Sequence, residues 1–140
     1  MELTRESAKP SIVFLCVHNA GRSQMAAGWA RHLAGDRVEV FSGGSDPARV
    51  VNASAVAVMA EAGVDISAQH PQPWTDEIVR AADVVVTMGC GDTCPYFPGV
   101  RYEDWELNDP AGLPVDEVRP IRDEIRDRIE DLLTRLGVAG

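Results

Sequence analysis

A thiol, a guanidinium and a hydroxyl fall within one short stretch near the start of the chain, Cys16-Val17-His18-Asn19-Ala20-Gly21-Arg22-Ser23. Cys16 closes an apolar run, Ser11-Ile12-Val13-Phe14-Leu15-Cys16, and an amphipathic helical pattern begins directly behind the stretch. A thiol at a strand end, a short loop and a helix N-terminus together form a trap for a tetrahedral oxyanion. The N–H groups of Val17, His18, Asn19, Ala20, Gly21 and Arg22 can converge on one anion, helped by the positive end of the helix dipole. Arg22 adds a planar fork that holds two oxygens at once. The same field stabilises a thiolate at Cys16, and the chemistry implied is attack by sulfur on a bound oxyanion. Considered alone, Cys16 would be an inert core cysteine. The order of strand, small-residue loop, Arg-Ser and helix favours the nucleophile. Ser23 reads as a helix N-cap, as a hydrogen-bond donor to the thiolate, or as both. Asn19 and His18 read as braces for the loop, and no metal role is assigned to His18.

Two further clusters carry chemistry. Cys90 and Cys94 bracket Gly91-Asp92-Thr93, with Pro95 behind them. Thiols at that spacing can form a disulfide if the loop bends, and two unrelated loop thiols are the alternative. No second Cys or His pair stands at zinc-site spacing, so no metal is expected. A redox reading uses all three cysteines: one attacks, one resolves and one carries the oxidised pair outward. Asn108-Asp109-Pro110 offers a loop carboxylic acid that could protonate a leaving oxygen. Asx-Pro equally starts turns for structural reasons, and both readings of Asp109 stay open.

The elements that must position these groups alternate between strand and helix, which predicts an α/β fold: a single three-layer sandwich with a mostly parallel four-stranded sheet. Val38 to Ser42 reads as the second strand, closed by Gly43-Gly44. Asn52 to Ala62 reads as a helix with Val56, Met59 and Ala60 inward and Gly63 as its C-cap. Asp83 to Met88 is a continuous apolar strand of the kind covered on both faces. Val100 to Trp105 is a weaker strand. The last helix runs from Val115 to Leu136, with Val118, Ile121, Ile125, Ile129, Leu132 and Leu136 as its apolar stripe and Glu124/Arg128 as an exposed pair. Met25 and Trp29 belong to the inner face of the first helix. Ligands of open parallel sheets bind beyond the carboxyl ends of the strands, where Cys16, Ser42 and Met88-Gly89-Cys90 all fall.

A chain of 140 residues, 45% hydrophobic and 25% charged, suits one domain with a real core. A formal net charge of -9 argues against nucleic acid or an anionic membrane as partner. No stretch is long and apolar enough to span a bilayer. Residues 1–10 read as a flexible polar lead-in and residues 11–140 as the folded domain. Three cysteines fit a reducing, cytoplasmic setting in which thiols are reactive rather than structurally bridged.

The segment from Cys16 to Ser23, continued by Gln24-Met25-Ala26 and Trp29, resembles the low-molecular-weight protein tyrosine phosphatases and the arsenate reductases that share their fold. The likeness runs from Ile12 to the last helix and includes Asp109-Pro110. The Cys90/Cys94 loop points to the thioredoxin-coupled, three-cysteine arsenate reductases. The resemblance implies that arsenate sits in the loop, that Cys16 attacks arsenic and that Asp109 protonates the departing hydroxide. It further implies that Cys90 attacks Cys16 to release arsenite, that Cys94 then attacks Cys90, and that thioredoxin reduces the Cys90–Cys94 disulfide. No cofactor is implied. The better-known three-cysteine reductases space their second and third thiols more widely than this chain does. Ala27 stands where the family's potassium site has an acidic side chain, and Ala111-Gly112 stand where the phosphatases carry tyrosines. Three alternatives accompany this reading. One is an arsenate reductase that uses Cys16 alone with a small thiol such as mycothiol or glutathione. The second is a low-molecular-weight protein tyrosine phosphatase. The third is a non-enzymatic arsenic sensor.

Overall fold

The computed structural model describes residues 9–89 and 95–138. Cys90, Gly91 and Cys94, and most of the lead-in, lie outside the described residues. Four strands, β1 (Ser11–Cys16), β2 (Glu39–Gly44), β3 (Val84–Thr87) and β4 (Tyr102–Asp104), form one sheet in the order β2-β1-β3-β4, with every pairing parallel. Among the described residues the α-helices are α1 (Arg22–Ala34), α2 (Ala53–Glu61), α3 (Asp76–Arg80) and α4 (Val115–Arg135).

β1 is buried along its whole length because it is central and covered on both faces. Its alternation sorts the side chains. Ile12, Phe14 and Cys16 join the larger core with Met25, Trp29, Val58, Met59 and the α4 stripe. Val13 and Leu15 join a smaller core with Val79, Val85, Phe41 and Trp74. Cys16 therefore lies on the α1 side of the sheet, at the strand end, over the start of that helix.

Several expectations shift. β2 runs on through Gly43 and Gly44, which pair with Leu15 and Cys16 instead of closing the strand. Those positions exclude a side chain: a Cβ on Gly43 would lie 2.8 Å from the Trp74 backbone nitrogen. In α2 the inward positions are Ala55, Val58 and Met59, while Ala60 is exposed. The helix is rotated so that Val58 fills the core, and Asn52 caps it by accepting from the Ala55 N–H at 3.0 Å. Gly63 follows the helix end with φ 84, the left-handed conformation that glycine adopts freely. The five residues of α3 are too few to show a helical period in the sequence. Thr75 supplies its cap. The α4 stripe holds, with Leu136 only partly buried just past the helix, and Arg128 pairs with Glu124 at 3.0 Å.

Arginine hydrogen bonds pin two carboxylates in this frame. Arg119 holds Glu61 and Arg135 holds Glu103, and each lowers its partner below the usual carboxylate range. A depressed carboxylate stabilises the fold above its unfolded value of about 4.3, and that contribution is lost as pH falls through the lower folded value. Glu103→Gln is therefore expected to lower the urea midpoint at pH 7 and to flatten its further decline on acidification. Urea titrations of both proteins at neutral and strongly acidic pH measure this.

Candidate active site

The loop between β1 and α1 is held from outside by its carbonyls. Val17 O accepts from the Asp46 N–H at 2.8 Å, His18 O from Ala48 at 2.9 Å and Ala20 O from Asn52 at 2.8 Å. No peptide bond here is cis, so each outward carbonyl turns the next residue's N–H inward. The N–H groups of His18, Asn19 and Gly21 thus face the Cys16 side, and that of Asn19 lies 3.2 Å from Cys16 Sγ. The curl requires Asn19 to take φ 50, a left-handed conformation that asparagine tolerates better than most side chains.

Ser23 is the second residue of α1, and Gly21 occupies the N-cap position without any side-chain cap bond. The capping reading of Ser23 is therefore corrected. Its hydroxyl points to Cys16, with Oγ 2.9 Å from Sγ. Asn19 Nδ2 donates to the same Oγ at 2.7 Å, which leaves the serine hydrogen for sulfur. Cys16, Asn19 and Ser23 are all within 3% of full burial. Asn19 braces the loop as expected: its Oδ1 accepts from the Gln72 N–H at 3.0 Å. His18 also braces, with Nδ1 2.9 Å from Asp46 O.

Arg22 is largely buried, its side chain 13% exposed. Nη1 donates to Leu107 O at 3.3 Å, and Nη2 lies 3.6 Å from Asp109 Oδ2. Gly89 packs over the guanidinium so closely that a Cβ there would stand 2.7 Å from Nη1. Asp109 takes the turn of its structural reading and also lines the pocket. One oxygen accepts the Ala111 N–H at 3.0 Å in an Asx turn, and the other faces Arg22. Cys16, His18, Ala20, Gly21, Arg22, Asn52 and Asp109 line one pocket of about 180 Å³, with Ala48 and Ala111 completing its wall. A tetrahedral oxyanion fits that space, with Sγ beneath it, donors around it and a carboxyl at the rim. Cys90 and Cys94, singled out by the sequence, lie outside the described residues. Among the described residues no group of three or more His, Cys, Asp or Glu could hold a metal, and no helix is long and apolar enough to cross a membrane.

Gly44 belongs to the site although the sequence marked it only as punctuation. A Cβ there would lie 2.5 Å from Val17 O and 3.0 Å from Asn19 N, against the back of the loop. Gly44→Ala is expected to displace the loop, to weaken phosphate binding several-fold and to destabilise the fold by about 1–3 kcal/mol. Calorimetric phosphate titration and a denaturant melt read the two effects.

Residues 11–139 match the family model described as low molecular weight phosphotyrosine protein phosphatase. An arsenate reductase 2 of Staphylococcus epidermidis is 42% identical over 131 residues, covering 91% of this chain and 98% of that protein. The structure of a thioredoxin-dependent arsenate reductase of Corynebacterium glutamicum superposes with a TM-score of 0.82 at 44% identity, covering 97% of this chain and 66% of that one. An arsenate reductase structure in the phosphate-binding state gives a TM-score of 0.78 at 33% identity, covering 90% of this chain and 98% of that one. The chain belongs to the low molecular weight phosphotyrosine protein phosphatase family, where it groups with arsenate reductases.

Proposed function

We propose that this protein reduces arsenate to arsenite, with Cys16 as nucleophile and Cys90 and Cys94 as a dithiol relay regenerated by thioredoxin. The observation that carries the reading is the double donation to Cys16 Sγ, from the Ser23 hydroxyl at 2.9 Å and the Asn19 N–H at 3.2 Å, at the floor of an oxyanion-sized pocket. Donors of this kind stabilise sulfur as an anion, and an anionic sulfur attacks. The similarity to arsenate reductases, one of them thioredoxin-dependent, supports this choice of substrate and reductant. The described residues that line the pocket include no Phe, Tyr or Trp, and its alanine walls suit a small inorganic anion better than an aryl ester.

The steps balance as follows. Arsenate enters with its oxygens on the loop N–H groups and the Arg22 fork. The Cys16 thiolate attacks arsenic, an As–O bond breaks, and Asp109 donates the proton with which that oxygen leaves as water. The Cys90 thiolate then attacks Cys16 Sγ. The S–As bond breaks, its electron pair stays on arsenic, and arsenic(V) departs as arsenite. Cys94 attacks Cys90, freeing the Cys16 thiolate and leaving a Cys90–Cys94 disulfide. Thioredoxin's dithiol reduces that disulfide by exchange and is itself oxidised.

Arsenate-dependent NADPH oxidation, with thioredoxin and thioredoxin reductase and without small thiols, tests the whole scheme. Robust turnover is expected, with Cys90→Ser and Cys94→Ser each reducing it to background. Turnover retained in both variants would remove the relay and leave Cys16 as the sole catalytic thiol. Turnover only on adding mycothiol or glutathione would reassign the reductant.

A further inference from the structure

Behind the loop, away from the pocket, runs a chain of side-chain amides that the mechanism above does not use. Gln24 is 1% exposed. Its Nε2 is the meeting point of three oxygens: Asn19 O at 2.8 Å, Asn19 Oδ1 at 3.1 Å and His70 O at 3.1 Å. Two of these are backbone carbonyls, which only accept, so the nitrogen end of the amide must face them. Its oxygen end must then face outward, where Gln69 Nε2 donates to Gln24 Oε1 at 2.6 Å. Gln69 Oε1 in turn accepts from Arg31 Nη1 at 3.0 Å. Every bond in the series has the same sense: Arg31 donates to Gln69, Gln69 to Gln24, Gln24 to Asn19, Asn19 to Ser23, and the series ends at Cys16 Sγ.

We infer that Gln24 and Gln69 are positioning residues for the attacking thiol, forming a one-way donor relay that holds Asn19 in its left-handed conformation and aims the Ser23 hydroxyl at Cys16. Neither glutamine lines the pocket. Their effect passes through Asn19, whose backbone N–H and Nδ2 are the two donors that the relay points toward the thiol and its serine. Hydrogen bonds in such a series polarise one another, and the last donor is strengthened by those behind it. Gln24 has a second, local task, since an amide nitrogen that gathers three oxygens keeps buried acceptors satisfied. The inference rests on Cys16 being the attacking thiol, and its test needs no arsenate.

The experiment is the rate of iodoacetamide alkylation of Cys16 against pH, resolved from Cys90 and Cys94 by peptide mass spectrometry on the reduced full chain. Gln24→Met keeps length and bulk but cannot donate. Its pH midpoint is expected to move upward by about half a unit to one unit, the scale of a weakened hydrogen bond to an anion. Gln69→Met, which removes only the outer link, is expected to move it in the same direction by less. Arg22, His18 and Asp109, the charged or titratable groups that share the pocket with Cys16, are unaltered in both variants. An unmoved midpoint in folded Gln24→Met overturns the inference, and so does a uniform slowing at every pH, which would report access alone. Should Gln24→Met fail to fold, an unmoved midpoint in Gln69→Met overturns it instead. A protein that shows these shifts yet reduces no arsenate would overturn the reductase reading and leave the relay standing.

Discussion

Cys16→Ser is expected to remove arsenate-dependent turnover, a loss on the order of 10⁴-fold or more, while phosphate still binds in the loop. The two halves of this result have separate causes. Turnover needs a sulfur anion, and a serine hydroxyl at the same place is deprotonated far too rarely to replace it. Binding needs the loop N–H groups and Arg22, whose orientation comes from the outward carbonyl bonds of Val17, His18 and Ala20 and from the Asn19 brace. None of those depends on sulfur. The substitution does alter one local contact, since the Ser23 hydroxyl and the Asn19 N–H would then face oxygen instead of sulfur. Steady-state rates with thioredoxin and calorimetric phosphate titration separate the two quantities. Appreciable turnover in Cys16→Ser would overturn the nucleophile assignment, and lost phosphate binding would mean that the thiol holds the loop in shape.

Asp109→Asn is expected to lower the rate by about 10²–10⁴-fold, the usual scale for losing a positioned general acid. The substitution isolates chemistry from structure unusually well here. The Asx turn to the Ala111 N–H uses a carbonyl-type oxygen that asparagine also has, so the turn survives. What is lost is a carboxyl that can deliver a proton when protonated and that, once ionised, faces Arg22 at 3.6 Å. That pair contributes little to stability because Asp109 is 55% exposed and solvent screens it. The expected signature is a fall in rate at nearly constant melting temperature. An unchanged rate would return Asp109 to its turn-forming role alone. Arg22→Lys makes an instructive companion, since an ammonium keeps the charge but not the fork that reaches both Leu107 O and the pocket.

The local order of residues determined a great deal. A continuous apolar run from Ile12 to Leu15 has few ways to be stable except as a central strand covered on both faces, and the α4 stripe has none except as a helix on a core. Cys16, Arg22 and Asp109 stand out because the proposed chemistry requires those residue types, and because a parallel sheet sends its ligands to the carboxyl ends of its strands. What stayed illegible depends on contacts between distant segments. Ser23 left two readings open, helix cap or partner of the thiol, and the entry angle of α1 decides between them by turning its hydroxyl to Cys16 and giving the N-cap position to Gly21. Gly44 reads as a strand terminator until the pairing with Cys16 brings it against the back of the loop. Gln69 and Gln72 sit in a segment without period or motif, and they matter because the fold carries that segment under Asn19 and Gln24. The sequence by itself thus marked the residues proposed for the chemistry, through residue type and local periodicity. The tertiary structure alone decided which distant groups hold the loop braces in place, because a hydrogen bond between residues 45 or 53 positions apart leaves no trace in local composition.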